Sequence, residues 1–215
     1  GRFDSDDAVM FYGEPAERWV FSNSNGGKYS WRQNPYTGDN VYFLEWTGEG
    51  SGLRARTGSG ALSEPDVIQT DRYRERVHEE SDRDTVIELL GIKSGYDWYW
   101  ETFRGNVKEF TSSLWDVVPE QPVVVNVKFW GFSEGRHQFE MKWNDRTIGV
   151  RSFSGSGVGT LLAFARRGTL EGANRLSLSH QDNTATRLDW YELEYSRALR
   201  ARDDALSFDW LGATG

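Results

Sequence analysis

The stretch VVVNVKFW, residues 123 to 130, alternates without a break: Val123, Val125, Val127 and Phe129 fall on one face of an extended chain, and Val124, Asn126, Lys128 and Trp130 on the other. HQFEMKW repeats the pattern, setting His137, Phe139, Met141 and Trp143 against Gln138, Glu140 and Lys142, and NRLSLSH sets Leu176 and Leu178 against Ser177 and Ser179. A side-chain period of two belongs to strands, whose successive Cβ atoms point to opposite sides of the pleat. A helix would scatter the same apolar residues around its circumference. One apolar and one wetter face per strand is the pattern of antiparallel sheets.

Turn sequences separate these runs: SEGR at 133–136, NDR at 144–146, SGSGVG at 154–159, EGAN at 171–174 and QDN at 181–183. Such residues tolerate or favour turn backbone. The spacing of about ten residues from strand to strand predicts an all-β fold, two stacked antiparallel sheets forming a jelly-roll-like β-sandwich. Strands are expected near 86–92, 97–103, 107–112, 123–131, 137–143, 146–152, 160–165, 174–180, 187–195 and 205–210. Helix is scarce, and its best candidates, 64–80 and 160–167, also read as strands.

The first seventy residues have a different grain. DDAVMFYG, RWVFS and NVYFLEW read as three or four strands between Gly, Asn and Ser loops, and 47–65 is a long connection of small residues. So few strands are marginal alone. The expected organisation is a small N-terminal β module over 1–70 and a β-sandwich domain over 71–215. The opening Gly1-Arg2-Phe3, with neither an initiator Met nor a signal segment, is read as the cut end of a longer protein.

Composition removes several function classes. No run approaches the ~20 apolar residues of a membrane helix, so membrane insertion by this chain is not expected. A net charge of -8 lacks the basic footprint that holds phosphate backbones, so nucleic acid is not an expected partner. Five lysines (Lys28, Lys93, Lys108, Lys128 and Lys142) among 25 basic residues leave an acidic, Arg-dominated surface. Zero Cys removes disulfides, thiolate catalysis and thiolate metal sites together.

Chemical motifs are absent or weak. There is no G-x-S-x-G elbow, no phosphate-binding G-x-x-x-x-G-K-[ST] loop and no H-E-x-x-H helix. His78, His137 and His180 lie far apart, and each is read as a hydrogen-bonded sheet histidine. HEESDRD (His78, Glu79, Glu80, Asp82, Asp84) has hard oxygens suited to Ca²⁺ but no turn glycine, and is read as a solvated charged segment. No metal, cofactor or catalytic set is expected. Carboxylate pairs for glycoside hydrolysis depend on spatial separation and cannot be picked from 33 acids.

The sharpest local feature is SGYDWYWETF, residues 94–103, with five aromatic side chains in the eight positions from Tyr96 to Phe103. As one strand it places Tyr96, Trp98 and Trp100 on one face and Asp97, Tyr99, Glu101 and Phe103 on the other. An exposed row of rings stacks on sugars and a buried row is core; Tyr96, Trp98 and Trp100 are the candidate binding residues, with core the favoured reading.

In order, DDAVMFYG, RWVFS and NVYFLEW, then RYRERVHEESD, then SGYDWYWETF with KEFTSSL, and finally RLDWYELEYSRALRARDDALSF resemble the region upstream of the catalytic domain in gingipain-type cysteine peptidases. Within that family the likeness is greatest to the sortase-like members of type IX secretion systems. The resemblance runs over about 1–212 as an order of short motifs. It implies a non-catalytic accessory region of an exported peptidase at the cell surface or outer membrane. Such a region supports the catalytic domain of the same polypeptide, holds substrate proteins or contacts the secretion machinery. The family's catalytic Cys and His belong to a later domain, and a chain without Cys inherits neither. The family likeness also implies that SGYDWYWETF is a sandwich strand anchored by a Trp or Tyr.

A second expectation comes from a different class. Ten Trp on a sandwich also suit a carbohydrate-binding module with a glycan as partner.

Overall fold

The computed structural model describes residues 9, 11–25, 27–34, 36–45, 70–86, 97–206 and 208. The chain divides into two compact units, Gly1–Pro65 and Asp66–Gly215.

In the first unit β1 (Arg18–Ser22) and β2 (Lys28–Arg32) form an antiparallel hairpin across a 3-10 turn at Asn23–Asn25. Trp19 faces Trp31 and Phe21 faces Tyr29, with ring centroids 5.4 and 5.0 Å apart. Opposed aromatic pairs of this kind stabilise a ribbon that has little else to bury. The strands expected within DDAVMFYG and NVYFLEW do not form over the described residues 11–17 and 36–45. Side chains tie this part together instead: the Tyr42 hydroxyl and the Asn40 amide both donate to the Glu14 carbonyl, at 2.8 and 2.7 Å.

The second unit holds β3 (Arg72–Glu80), β4 (Asp84–Val86), β5 (Asp97–Tyr99), β6 (Glu101–Phe103), β7 (Val107–Leu114), β8 (Val123–Gly131), β9 (Arg136–Trp143), β10 (Arg146–Ser154), β11 (Gly157–Ala165), β12 (Gly172–His180) and β13 (Thr186–Ala198). They make the antiparallel β-sandwich that the alternation requires. One sheet has the order β10-β9-β12-β7, and the other β11-β8-β13-β3 with β6 also paired to β13. β4 and β5 form a separate ribbon.

The inward residues are those of the alternating runs. Val123, Val125, Val127 and Phe129 meet Phe139, Met141, Trp143, Leu176 and Leu178 across the interior, all essentially without solvent contact. Phe129 stacks on Phe139 with centroids 4.3 Å apart. Within the two helix candidates, 72–80 and 160–165 are strands, because they have partners along their length; residues 64–69 of the first lie outside the described residues.

β13 departs from strict alternation. Its register against β8 shifts between Leu188 and Trp190, a bulge that lets both Leu188 and Tyr191 face the core although three positions separate them. The extra residue, Asp189, turns outward together with Trp190. Bulges re-aim side chains in this way.

Two other expectations need correction. Of the strand expected over 205–210, the described residues 205, 206 and 208 form none, and at 202–205 there is an isolated Arg202–Ala205 bridge around Asp203 and Asp204 with positive φ; residues 207, 209 and 210 lie outside the described residues. The strand expected over 97–103 is two strands, broken at Trp100. Of the strand expected over 86–92, only Val86 lies within the described residues, at the end of β4.

Candidate functional site

The break at Trp100 separates the candidate rings. Tyr96 lies outside the described residues. Trp98 sits on the β4–β5 ribbon and is 43% exposed. The Trp100 amide donates to the Leu188 carbonyl at 2.8 Å, which swings the ring inward, stacked on Tyr191 at 5.6 Å and edge-on to Phe110 at 4.8 Å. Tyr99 and Phe103 are buried. The shared face read from alternation therefore does not exist: Trp98 faces solvent and Trp100 packs against the core.

The densest chemistry lies on the outer face of the five-stranded sheet. The registers place Glu192 of β13 between His78 of β3 and Asn126 of β8, and Trp190 between Glu80 and Lys128. His78 Nδ1 lies 3.1 Å from Glu192 Oε1 and its Nε2 lies 2.9 Å from Glu80 Oε2, so both ring nitrogens meet a carboxylate. Asn126 donates to the other Glu192 oxygen at 3.4 Å. Lys128 Nζ reaches Asp189, the bulge residue, at 2.8 Å and lies 5.7 Å over the Trp190 ring. The His78 and Trp190 rings are 5.5 Å apart.

Burial opposes the charged form of His78, but the hydrogen bonds and charges of Glu192 and Glu80 outweigh it and raise its pKa above the ordinary value. Burial raises the Asp189 carboxyl, against the pull of Lys128. HEESDRD is therefore not a solvated segment in its first three residues: His78, Glu79 and Glu80 are part-buried within a strand. Among the described residues, no group of three or more His, Cys, Asp or Glu is placed to hold a metal ion.

Toward β11 the same face becomes apolar. Val158, Leu162 and Phe164 point outward opposite Trp130, Asn126 and Val124 of β8, and are 60%, 46% and 46% exposed. The face thus grades from a charge-paired network at β3 to an exposed aliphatic and aromatic row at β11. Its titratable groups are engaged with one another through the His78–Glu192, His78–Glu80 and Lys128–Asp189 contacts.

The other two histidines are sheet residues with satisfied bonds, yet neighbours in space. His137 and His180 stack with centroids 6.4 Å apart, fully or nearly buried at the opposite end of the sandwich from the paired Arg72 and Ala198. Thr186 Oγ1 lies 2.6 Å from His137 Nδ1, and the Gly105 amide donates to His180 Nδ1 at 3.2 Å. Sequence reading missed the Glu192, Asp189 and Trp190 contribution. Its signal was present in RLDWYELEY, where adjacent Trp190 and Tyr191 interrupt the alternation.

No protein-family model matches the chain, and no curated protein matches it. Among solved structures, dimeric latent PorU from Porphyromonas gingivalis is similar with a TM-score of 0.58 and 17% identity, over 86% of this chain and 18% of that one. The chain therefore shares its fold with a part of PorU amounting to less than a fifth of that protein. Two carbohydrate-binding modules are similar at lower scores. A family 35 module from an environmental isolate has a TM-score of 0.41, with 12% identity over 59% of this chain and 99% of that one. CBM36, solved with calcium and xylotriose, has a TM-score of 0.38, with 12% identity over 55% of this chain and 98% of that one. Among the described residues no helix is long and apolar enough to cross a membrane.

Proposed function

We propose that this chain is a non-catalytic accessory region of an exported, gingipain-like cysteine peptidase linked to type IX secretion. Its sandwich supports the catalytic domain or holds protein partners through the outer face of the five-stranded sheet. The observation that carries the reading is the exposed row Val158, Leu162 and Phe164 beside the charge-paired His78 network. An exposed apolar patch bordered by polar groups marks an association surface. The fold likeness to part of PorU supports the context, as does the absence of Cys. The interior supports it too, since rings and aliphatic side chains fill the space between the sheets.

The test mixes this chain with the peptidase domain of its parent polypeptide and follows association by calorimetry. Saturable binding is expected, weakened about tenfold or more by Leu162→Glu with Phe164→Glu, as for central interface positions. Binding that ignores both substitutions removes the sheet face from the reading, and no binding at all removes the accessory role.

A carbohydrate-binding role is the second reading, and Trp98 is the observation that favours it, an exposed ring on a two-stranded ribbon. Glycan-array binding that disappears in Trp98→Ala at unchanged stability is its expected result. An array without signal rejects it.

A further inference from the structure

The chain enters and leaves the sandwich at one end: Arg72, the first residue of β3, pairs with Ala198, the last of β13, and the Leu199 amide donates to the Asp71 carbonyl at 2.8 Å. The β9–β10 turn and the β11–β12 loop lie at this same end, because Asn144 donates to the Gly168 carbonyl at 2.7 Å and Glu171 accepts from the Asp116 and Val117 amides beside β13. Four arginines stand here, Arg146, Arg166, Arg167 and Arg200, all exposed and none ion-paired among the described residues.

The acids of this end are mostly engaged. Asp145 binds Arg175, Asp116 binds Arg197, Asp71 binds Arg72, Asp203 binds Arg202 and Glu171 caps two amides. Glu120 and Asp204 alone lack a partner among the described residues here, so unpaired arginines outnumber unpaired acids at this end. The arginines are also gathered by the fold. Arg146 lies over Gly168 so closely that a Cβ there would stand 3.0 Å from its Cδ and Nε. That contact brings Arg146 beside the loop bearing Arg166 and Arg167. An open depression of about 510 Å³ lies beside Arg146, lined by Asn144, Asp145, Gly168, Leu170 and Arg175 among others, with the Asp145 carboxylate held by Arg175 and Leu170 54% exposed.

We propose that this end of the sandwich is a docking site for an acidic polypeptide segment, whose carboxylates meet Arg146, Arg166 and Arg167 and whose apolar side chain meets Leu170. Guanidinium forks match carboxylates bidentately, and an exposed apolar side chain beside them gives a peptide a contact that a phosphate backbone cannot use. This site lies at the strand ends and not on the outer sheet face, so it goes beyond the accessory role and its failure leaves that role standing.

The probe is a fluorescent Glu- and Leu-containing peptide of about twelve residues, titrated with the full chain by anisotropy at low and high salt. The binding is expected to weaken with salt, since exposed charges are screened within ~10 Å at 0.1 M. It is expected to fall about tenfold or more in the Arg146→Glu, Arg166→Glu, Arg167→Glu triple variant. The pair Arg104→Glu with Arg136→Glu, at the other end of the sandwich, is expected to leave it unchanged. If the triple Glu variant loses its melting transition, the triple Gln variant supplies the comparison. Equal affinity in the triple variant, an equal loss in the control pair, or tighter binding of single-stranded DNA or heparin than of the peptide overturns the proposal.

Discussion

His78 and His180 respond to pH in opposite directions. His180 has its pKa lowered by burial, with the His137 charge adding to that and Asp182 opposing it. A lowered imidazole pKa leaves the folded state binding fewer protons than the unfolded one, so stability is lost as pH falls below the unfolded value of about 6.5. His78, raised by its two carboxylates against the cost of burial, contributes stability that is complete below about pH 6.5 and is lost as pH rises through its folded value. Melting temperatures followed between about pH 5.5 and 8.5 are expected to show His78→Gln closing the gap to the parent at the alkaline end. A gap that widens with rising pH contradicts the raised value. The two tryptophans form a second residue-scale contrast. Trp100→Ala is expected to cost about 3–5 kcal/mol in urea unfolding, for a ring wedged between Phe110 and Tyr191. Trp98→Ala, at an exposed position, is expected to stay within about 0.5 kcal/mol. Equal losses reject the separation of the two rings.

The elements that read best from sequence were those whose alternation is complete. VVVNVKFW and HQFEMKW are strands with the faces expected, because each has neighbours on both sides and one face against the opposite sheet. SGYDWYWETF read poorly because its two halves pair with different strands, β4 and β13, and no periodicity in ten residues encodes that choice. β13, expected over 187–195, runs from Thr186 to Ala198 and carries a bulge that no expectation included. Deleting Asp189 leaves Leu188 and Tyr191 two positions apart, restoring plain alternation. That variant is therefore expected to keep its fold with a loss of about 1–3 kcal/mol, whereas deleting Val125 inverts the faces of the rest of β8 and is expected to abolish folding. Circular dichroism with urea titration separates the two. β11 offers a further check: a Cβ at Gly159 would stand 2.3 Å from the Phe153 ring, so Gly159→Ala is expected to cost about 1–3 kcal/mol through overpacking. A neutral result means that Phe153 moves aside freely.

At the scale of the whole molecule, residues 66–215 hold the sandwich and its entire buried core. Expressed alone, they are expected to unfold in a single transition by both circular dichroism and Trp fluorescence, as single domains of this size do. Non-coincident curves reject a self-sufficient sandwich. The first unit presents the opposite case, with strand-like runs in NVYFLEW that form no ladder over residues 41–45, since β propensity without a partner strand does not make a strand. The sequence by itself determined the all-β class, the strands over 123–180 and the inward residues, because alternation, turns and burial are local or nearly local consequences of side-chain type. It also determined that no thiol chemistry occurs here. Only the tertiary structure decided that His78 meets Glu192 across 114 positions, that Trp98 and Trp100 part company, and that Arg146 joins Arg166 and Arg167 at one end. Those facts depend on which strands pair and where a register slips, and that is set by the competition among all the strands for partners.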